Sequence, residues 1–498
     1  MAMSQATGLP YGFALITWRR AVILGLLGAA CFHSVYTPAK SGLLALLILG
    51  YVVCLEQLAR LPTTRQSFYT GLGVGFACFA PQLECFWRIF GAGAIALWLI
   101  LAFWIGLFVA LAHLALARLG PKRAALLIPF LWTGLEYFRS ELYYLRFSWL
   151  NVGYAFAEIP FVPFKVFGIY GLGFTVVLII AWALRVRQER PRGIPLVSAA
   201  IGLVLMAVSV MSWLSAMPQN KRPFPNVVVA GLQLEFQDEN EVLKSLNLVL
   251  ERYRSVVQSD PFFRRRTNVD LVVLPEYTLD GEPSTALKDW CRANRKFLIV
   301  GGKDPASGND YYNTAFVIST NGEVVFKQVK SVPIQFFKDG LAAPAQQLWE
   351  SPWGKIGICI CYDLSYTRVT DELVRQGAVM LIVPTMDVAE WGRHQHELHA
   401  RVAPIRAAEY RIPIFRVASS GISQGVRWSG RVQSSAPFPG PGEIFFFGAW
   451  LSPGFKGSLP WDRWLAPLCV GVTGLFVIWL VADNFRRKRA TTSKENPA

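Results

Sequence analysis

Charge is what this sequence has least of. Only 16% of its 498 residues are Asp, Glu, Lys or Arg, against about 25% in ordinary soluble domains. With 53% hydrophobic residues, that deficit points to a membrane. Acidic residues are scarcest, 33 against 49 Lys and Arg, leaving a net charge of +16. The excess does not indicate a nucleic-acid partner, because much of it lies in short clusters beside apolar stretches: "TWRRA" (17–21), "GPKRA" (120–124), "RVRQERPRG" (185–193) and "NFRRKRA" (484–490). Such clusters mark the cytoplasmic flanks of membrane helices. Cysteine is sparse too, eight in all and no CxxC, which excludes a disulfide scaffold. Cys31, Cys54, Cys78, Cys85 and Cys469 lie in or near apolar stretches, where a thiol is a small hydrophobe. No Walker motif, DNA-binding motif or internal repeat is present, and the one low-complexity segment is the charged tail from Arg486.

Long hydrophobic runs, by contrast, are plentiful: 21–36, 41–58, 68–92, 93–117, 123–138, 164–184, 194–216 and 464–482. A bilayer-spanning helix needs about 20 apolar residues, or somewhat fewer with snorkelling flanks, so the pattern predicts eight spans. The positive-inside rule orients them. With Arg19 and Arg20 inside, the loops holding Arg60 and Arg65, Lys122 and Arg123, and Arg185 to Arg192 fall inside as well, as does the tail Arg486 to Arg489. Both termini are then cytoplasmic, and residues 217–463 lie outside. "GLGVGF" (71–76) sits inside one of these runs with no strand before it, which reads as helix packing rather than a nucleotide loop.

Residues 217–463 carry a different pattern. Short β-branched runs such as "NVVVAGLQLEF", "VDLVVLPEY", "FLIVGGK" and "VMLIVPT" alternate with helical stretches at 239–258, 285–295 and 370–377. That alternation predicts a layered α/β domain, with reactive groups just past strand ends. Three strand ends carry them: Glu276 in "LVVLPEY", Lys327 and Lys330 in "FKQVKSVP", and Cys361 in "GICICYD". A thiol needs a base to become a thiolate. Glu276 offers the base, and a lysine ammonium beside a backbone N–H such as that of Tyr362 offers an oxyanion site. Cys359 and Cys361, two residues apart, are expected on one strand face and not bonded to each other. "WGRHQHELHA" (391–400) gathers three of the five histidines, His394, His396 and His399. Their spacing fits no metal-protease pattern, and they are expected on a helix or loop near the site, with Trp391 facing substrate or core. Glu136 and Arg139, three apart on a helix, read as an interfacial ion pair or a contact to a lipid headgroup.

"LVVLPE", a lysine before Val-Pro and "ICYD" resemble the Glu-Lys-Cys triad of the nitrilase, or carbon–nitrogen hydrolase, superfamily. The resemblance spans about 227–435 and implies Cys361 as nucleophile, Glu276 as base and Lys330 as oxyanion stabiliser. "LIPFLWTGLEYFRS" (127–140), "RFSWLNVGYAF" (146–156), "GIYGLGFTV" (168–176) and "RAAEYRIPIFRVASSGIS" (406–423) resemble the apolipoprotein N-acyltransferase family. That resemblance implies a multi-span α-helical membrane domain (1–216), a nitrilase-like αββα sandwich outside the cytoplasm (217–463), and a last span with a basic tail (464–498). It further implies a bacterial inner membrane, a phospholipid acyl donor, a diacylglyceryl-lipoprotein acceptor and no cofactor or metal. The chain departs from the family around its lysine. The glutamate that follows Pro-Phe-Gly in the family falls near Phe336, where there is no carboxylate. Asp339 is a substitute only if the loop runs differently. The family's glutamate after Cys-Tyr is Asp363 here, and Tyr362, Asp363 and Trp391 are candidates for substrate or oxyanion contacts. Other readings are a membrane-tethered amidase that hydrolyses a small amide, a non-enzymatic scaffold, and a transporter. The last is disfavoured by the few charges inside the spans.

Overall fold

A computed structural model describes residues 16–37, 42–159, 162–189, 225–236, 238–259, 269–438, 445–454 and 456–495. The chain forms two compact units, Met1–Pro163 with Phe167–Met211 and Trp461–Ala498, and Ser212–Pro460 with Phe164–Val166.

The first unit is helical: α1 (Trp18–Tyr36), α2 (Leu47–Leu58), α3 (Thr64–Gln82), α4 (Cys85–Phe90), α5 (Gly93–Tyr137), α6 (Phe164–Glu189) and, after the second unit, a long C-terminal helix, Asp462–Glu495. Seven of the apolar runs fall largely on these helices, while 194–216 lies outside the described residues. The runs 93–117 and 123–138 have no loop between them. They are two helices that meet directly at Gly120, whose φ of 73° and ψ of 168° are non-helical and open to glycine alone, and Pro121 starts the next turn with φ already set. Among the described residues, three helical segments are long and apolar enough to cross a bilayer: Gly93–Leu142, Phe164–Val186 and Asp462–Arg487. Gly42–Leu58 is apolar but shorter. "GLGVGF" does pack helices. A Cβ on Gly75 would stand 2.9 Å from the Ala102 Cα, and one on Gly71 would stand 3.0 Å from the Gly106 Cα. Small residues here let α3 and α5 approach closely. Glu136 and Arg139 are both buried and face the chain itself rather than an aqueous boundary. Glu136 Oε1 accepts from the Val152 N–H at 2.9 Å. Arg139 donates to the Asn151 side chain, with its guanidinium 5.4 Å from the Phe79 ring centre.

The second unit is an αββα sandwich. Its strands are β1 (Val227–Gln233), β2 (Leu271–Val273), β3 (Phe297–Pro305), β4 (Tyr311–Ile318), β5 (Val324–Val329), β6 (Leu348–Ser351), β7 (Gly354–Ile358), β8 (Met380–Thr385), β9 (Ile414–Ala418), β10 (Ser423–Val426), β11 (Val432–Ala436) and β12 (Phe445–Leu451). They form two sheets of six, in the orders β12-β1-β2-β3-β4-β5 and β11-β10-β9-β8-β7-β6. Each sheet has three parallel central strands, β1-β2-β3 and β7-β8-β9, with antiparallel strands towards its edges. Central strands covered on both faces read as continuous apolar runs, and β1 (VVVAGLQ) and β8 (MLIVPT) are buried throughout. Helices α7 (Glu239–Ser259) and α8 (Thr285–Asn294) cover the first sheet, placing Val242, Leu246, Leu287 and Trp290 against Val228, Val272 and Leu298. Helices α9 (Thr367–Arg375), α10 (Arg393–Ala400) and α11 (Val402–Tyr410) belong to the second. Gln233 of β1 reaches Ser423 of β10 and so links the two sheets.

Candidate active site

Glu276, Lys330 and Cys361 come from three strand ends, those of β2, β5 and β7. Glu276 is buried. Its Oε1 accepts from Lys330 Nζ at 2.8 Å and Asn313 Nδ2 at 2.6 Å, and its Oε2 accepts from the Met386 N–H at 2.8 Å. Burial pushes the carboxyl above its ordinary range, and Asp339 adds to that while Lys330 opposes it. Lys330 is fully buried between two carboxylates, 2.8 Å from Glu276 Oε1 and 2.8 Å from Asp339 Oδ2. Burial alone would lower an ammonium. The negative charges of Glu276 and Asp339 outweigh it and hold Lys330 well above its ordinary range. Lys327 lies elsewhere, 40% exposed and paired with Glu282 and Asp304.

Cys361 is not on a strand, as its spacing from Cys359 had suggested. β7 ends at Ile358, and Cys361 opens a single 3-10 turn, Cys361–Ser365, with φ +52°. A non-glycine residue held there is strained, and the turn lifts Cys361 out of the strand's alternation. Its Sγ lies 3.7 Å from the Met386 carbonyl oxygen. Burial and Glu276 push the thiol well above its ordinary value, with Lys330 opposing, so the resting thiol is protonated. Cys359 is buried core.

Asp339 places a second carboxylate beside Lys330, although the family spacing pointed to Phe336. It is buried, and its Oδ1 accepts from Tyr277 Oη at 2.7 Å and Asn313 Nδ2 at 2.9 Å. The Ile334 N–H closes the loop back onto Oδ2 at 2.8 Å. Within that loop Phe336 has φ +70°. The candidate contact Asp363 is committed to the protein itself. Its carboxylate accepts from the N–H groups of Ser331, Val332 and Ile360 at 2.7–3.1 Å. It thereby clamps the segment after Lys330 to the one before Cys361, and burial raises its carboxyl to about 6. The Tyr362 ring packs edge-on against Tyr366 at 4.9 Å. Trp391 lies 6.3 Å from Phe337, which is partly exposed next to the 67%-exposed Phe336. His396 and His399 are buried on α10, and the His399 ring meets Asp387 at 2.9 Å.

Sequence reasoning missed Asn313, Tyr277 and Asp387. Asn313 had a visible signal, a lone amide in the apolar strand "YYNTAFVI". Asp387 had none, because it follows a strand as many solvated residues do.

The apolipoprotein N-acyltransferase N-terminal domain family matches residues 24–182, and the carbon–nitrogen hydrolase family matches 228–435. Apolipoprotein N-acyltransferase of Geobacter metallireducens is 25% identical over 75% of this chain and 79% of its own length. The chain is similar to apolipoprotein N-acyltransferases along most of its length. Apolipoprotein N-acyltransferase of Haemophilus ducreyi is 24% identical over 68% of this chain and 72% of its own length. Among solved structures, Nit3 of Saccharomyces cerevisiae, a nitrilase-superfamily member, is 21% identical over 46% of this chain and 90% of its own, with a TM-score of 0.35. The carbon–nitrogen hydrolase match and the two-sheet fold make this an enzyme with a nitrilase-type domain, joined to helices long and apolar enough to cross a membrane.

Proposed function

We propose that this protein moves a fatty acyl chain from a membrane phospholipid, through a thioester on Cys361, to the N-terminal amine of a diacylglyceryl-cysteine lipoprotein. The observation that carries the reading is the buried Lys330 ammonium between Glu276 and Asp339, with the Met386 backbone joining that cluster to Cys361. Glu276, its proton affinity raised by burial, takes the Sγ proton. The thiolate attacks the ester carbonyl, and the oxyanion forms against Lys330, which remains cationic throughout. The C–O bond then breaks, Glu276 returns the proton to the glycerol oxygen, and lysophospholipid leaves. In the second half the amine attacks the thioester, the C–S bond breaks, and Glu276 carries the amine proton to sulfur. The exposed Phe336 and Phe337 beside Trp391 support an apolar approach to the site, where exclusion of water favours an amine over hydrolysis.

The reading includes an eight-span topology with cytoplasmic termini and the catalytic unit, about 217–463, outside a bacterial inner membrane. The basic clusters beside the apolar runs support it. The test incubates the detergent-purified protein with a phospholipid carrying a labelled acyl chain. A hydroxylamine-sensitive adduct is expected on Cys361, absent in Cys361→Ala, and it passes to the amine of an added diacylglyceryl-cysteine peptide. Label that leaves only to water makes the protein a lipid hydrolase. No label on Cys361 overturns the phospholipid-donor mechanism in favour of small-amide hydrolysis.

A further inference from the structure

Asp387 follows β8 and is wholly buried, and the chemistry above gives it no part. Its Oδ1 accepts from His399 Nδ1 at 2.9 Å and Gln395 Nε2 at 3.3 Å, and its Oδ2 accepts from Arg416 Nη2 at 2.5 Å. Its N–H donates to Ser419 Oγ at 3.1 Å, and its carbonyl accepts from the Ser420 N–H at 3.0 Å. Groups from α10, β9 and the segment after β9 therefore hold one residue from every side. Burial works against ionisation of the carboxyl, but His399 and Arg416 overcome it and keep the group well below the usual range.

The residue joined to this cage is Met386. Its carbonyl and the Asp387 N–H belong to one planar peptide group, in which the two bonds point opposite ways. Holding the N–H on Ser419 therefore aims the Met386 carbonyl, whose oxygen lies 3.7 Å from Cys361 Sγ. The Met386 N–H, one peptide back, donates to Glu276 Oε2 at 2.8 Å. A single residue thus touches both the base and the nucleophile, and its orientation is set from the Asp387 side.

We propose that Asp387, caged by His399 and Arg416, is a positioning residue that fixes the Met386 backbone against Cys361 and Glu276. This rests on the reading of Cys361 as nucleophile and Glu276 as base. Around the thiol stand Glu276, Lys330, Asp339 and Asp387, and the Asp387 charge raises the thiol pKa. Its removal should leave a mark that loss of stability alone would not.

The test uses the full-length protein in detergent. Alkylation of Cys361 by iodoacetamide is followed against pH by peptide mass spectrometry, beside acyl loading from the labelled phospholipid. In Asp387→Asn the alkylation midpoint is expected to move to lower pH while acyl loading slows about 10²-fold, the scale of an ångström-sized misplacement. If Asp387→Asn does not fold, His399→Gln, which keeps the carboxylate and offers an amide donor, is expected to slow loading about tenfold. Folded variants with the wild-type alkylation profile and loading rate overturn the proposal. A wild type that alkylates but never takes an acyl group overturns the acyl-transfer reading instead, and the alkylation profiles still decide the role of Asp387.

Discussion

Lys330 and Lys327 stand three residues apart, and on an extended chain an odd spacing sends side chains to opposite faces. One becomes a fully buried ammonium and the other a surface cation. A buried ammonium is stable only with close counter-charges and hydrogen bonds, and Lys330 has Glu276 and Asp339. Asp339→Ala removes half of that cage and the anchor of Tyr277. Acyl loading of Cys361 is expected to fall by about 10²-fold, the scale of losing one preorganised electrostatic partner. Lys327→Ala, whose ion pairs are exposed, is expected to leave loading within about twofold, because such pairs contribute little. Single-turnover loading with labelled phospholipid measures both. Glu276 and Cys361 were legible from their own local motifs. Asp339 was not, because its place depends on a loop whose path is set by the left-handed backbone at Phe336 and by the Ile334 N–H returning to its carboxylate.

At the scale of elements, α10 carries a titrating liability. Burial lowers the His396 imidazole from its ordinary 6.5 to about 4, and burial lowers His399 as well. Both are therefore neutral in the folded protein near neutral pH. Between about pH 6.5 and 4 the unfolded chain binds the proton that folded His396 refuses, so stability is lost as pH falls through that window. At full protonation the loss from His396 is on the order of 3 kcal/mol. Thermal unfolding of the catalytic unit, followed between pH 7 and 4, is expected to show the decline, and His396→Phe, which retains a ring against Phe438, to flatten it. An equal decline in the variant would remove His396 as its source. The strands themselves were readable, since β1, β2 and β8 are unbroken apolar runs. The end of β7 was not, because "GICIC" continues apolar through Cys361 while the backbone leaves the sheet at Ile358. The clustered histidines were visible as a group, but their partner Asp387, at least seven residues upstream, was not.

The whole molecule combines a helical unit, matched over 24–182, and an αββα unit, matched over 228–435. For the proposed topology, an alkaline phosphatase fusion after residue 236 is expected to be active, hence exported. A green fluorescent protein fused to the C-terminus is expected to fluoresce, hence to stay in the cytoplasm. The reverse pattern would overturn the orientation read from the basic clusters. The sequence by itself determined the division into an apolar helical part and an alternating α/β part. It also determined the likeness to apolipoprotein N-acyltransferases and pointed to two side chains of the candidate site. Those properties are written in composition, in period and in short contiguous motifs. The tertiary structure alone decided which lysine is buried, that Asp339 completes its cage, that Asp363 is a clamp, and that Asp387 stands behind the peptide facing the thiol. Each of these is a contact between segments up to about a hundred residues apart, and no local pattern records which distant strand end a side chain will meet.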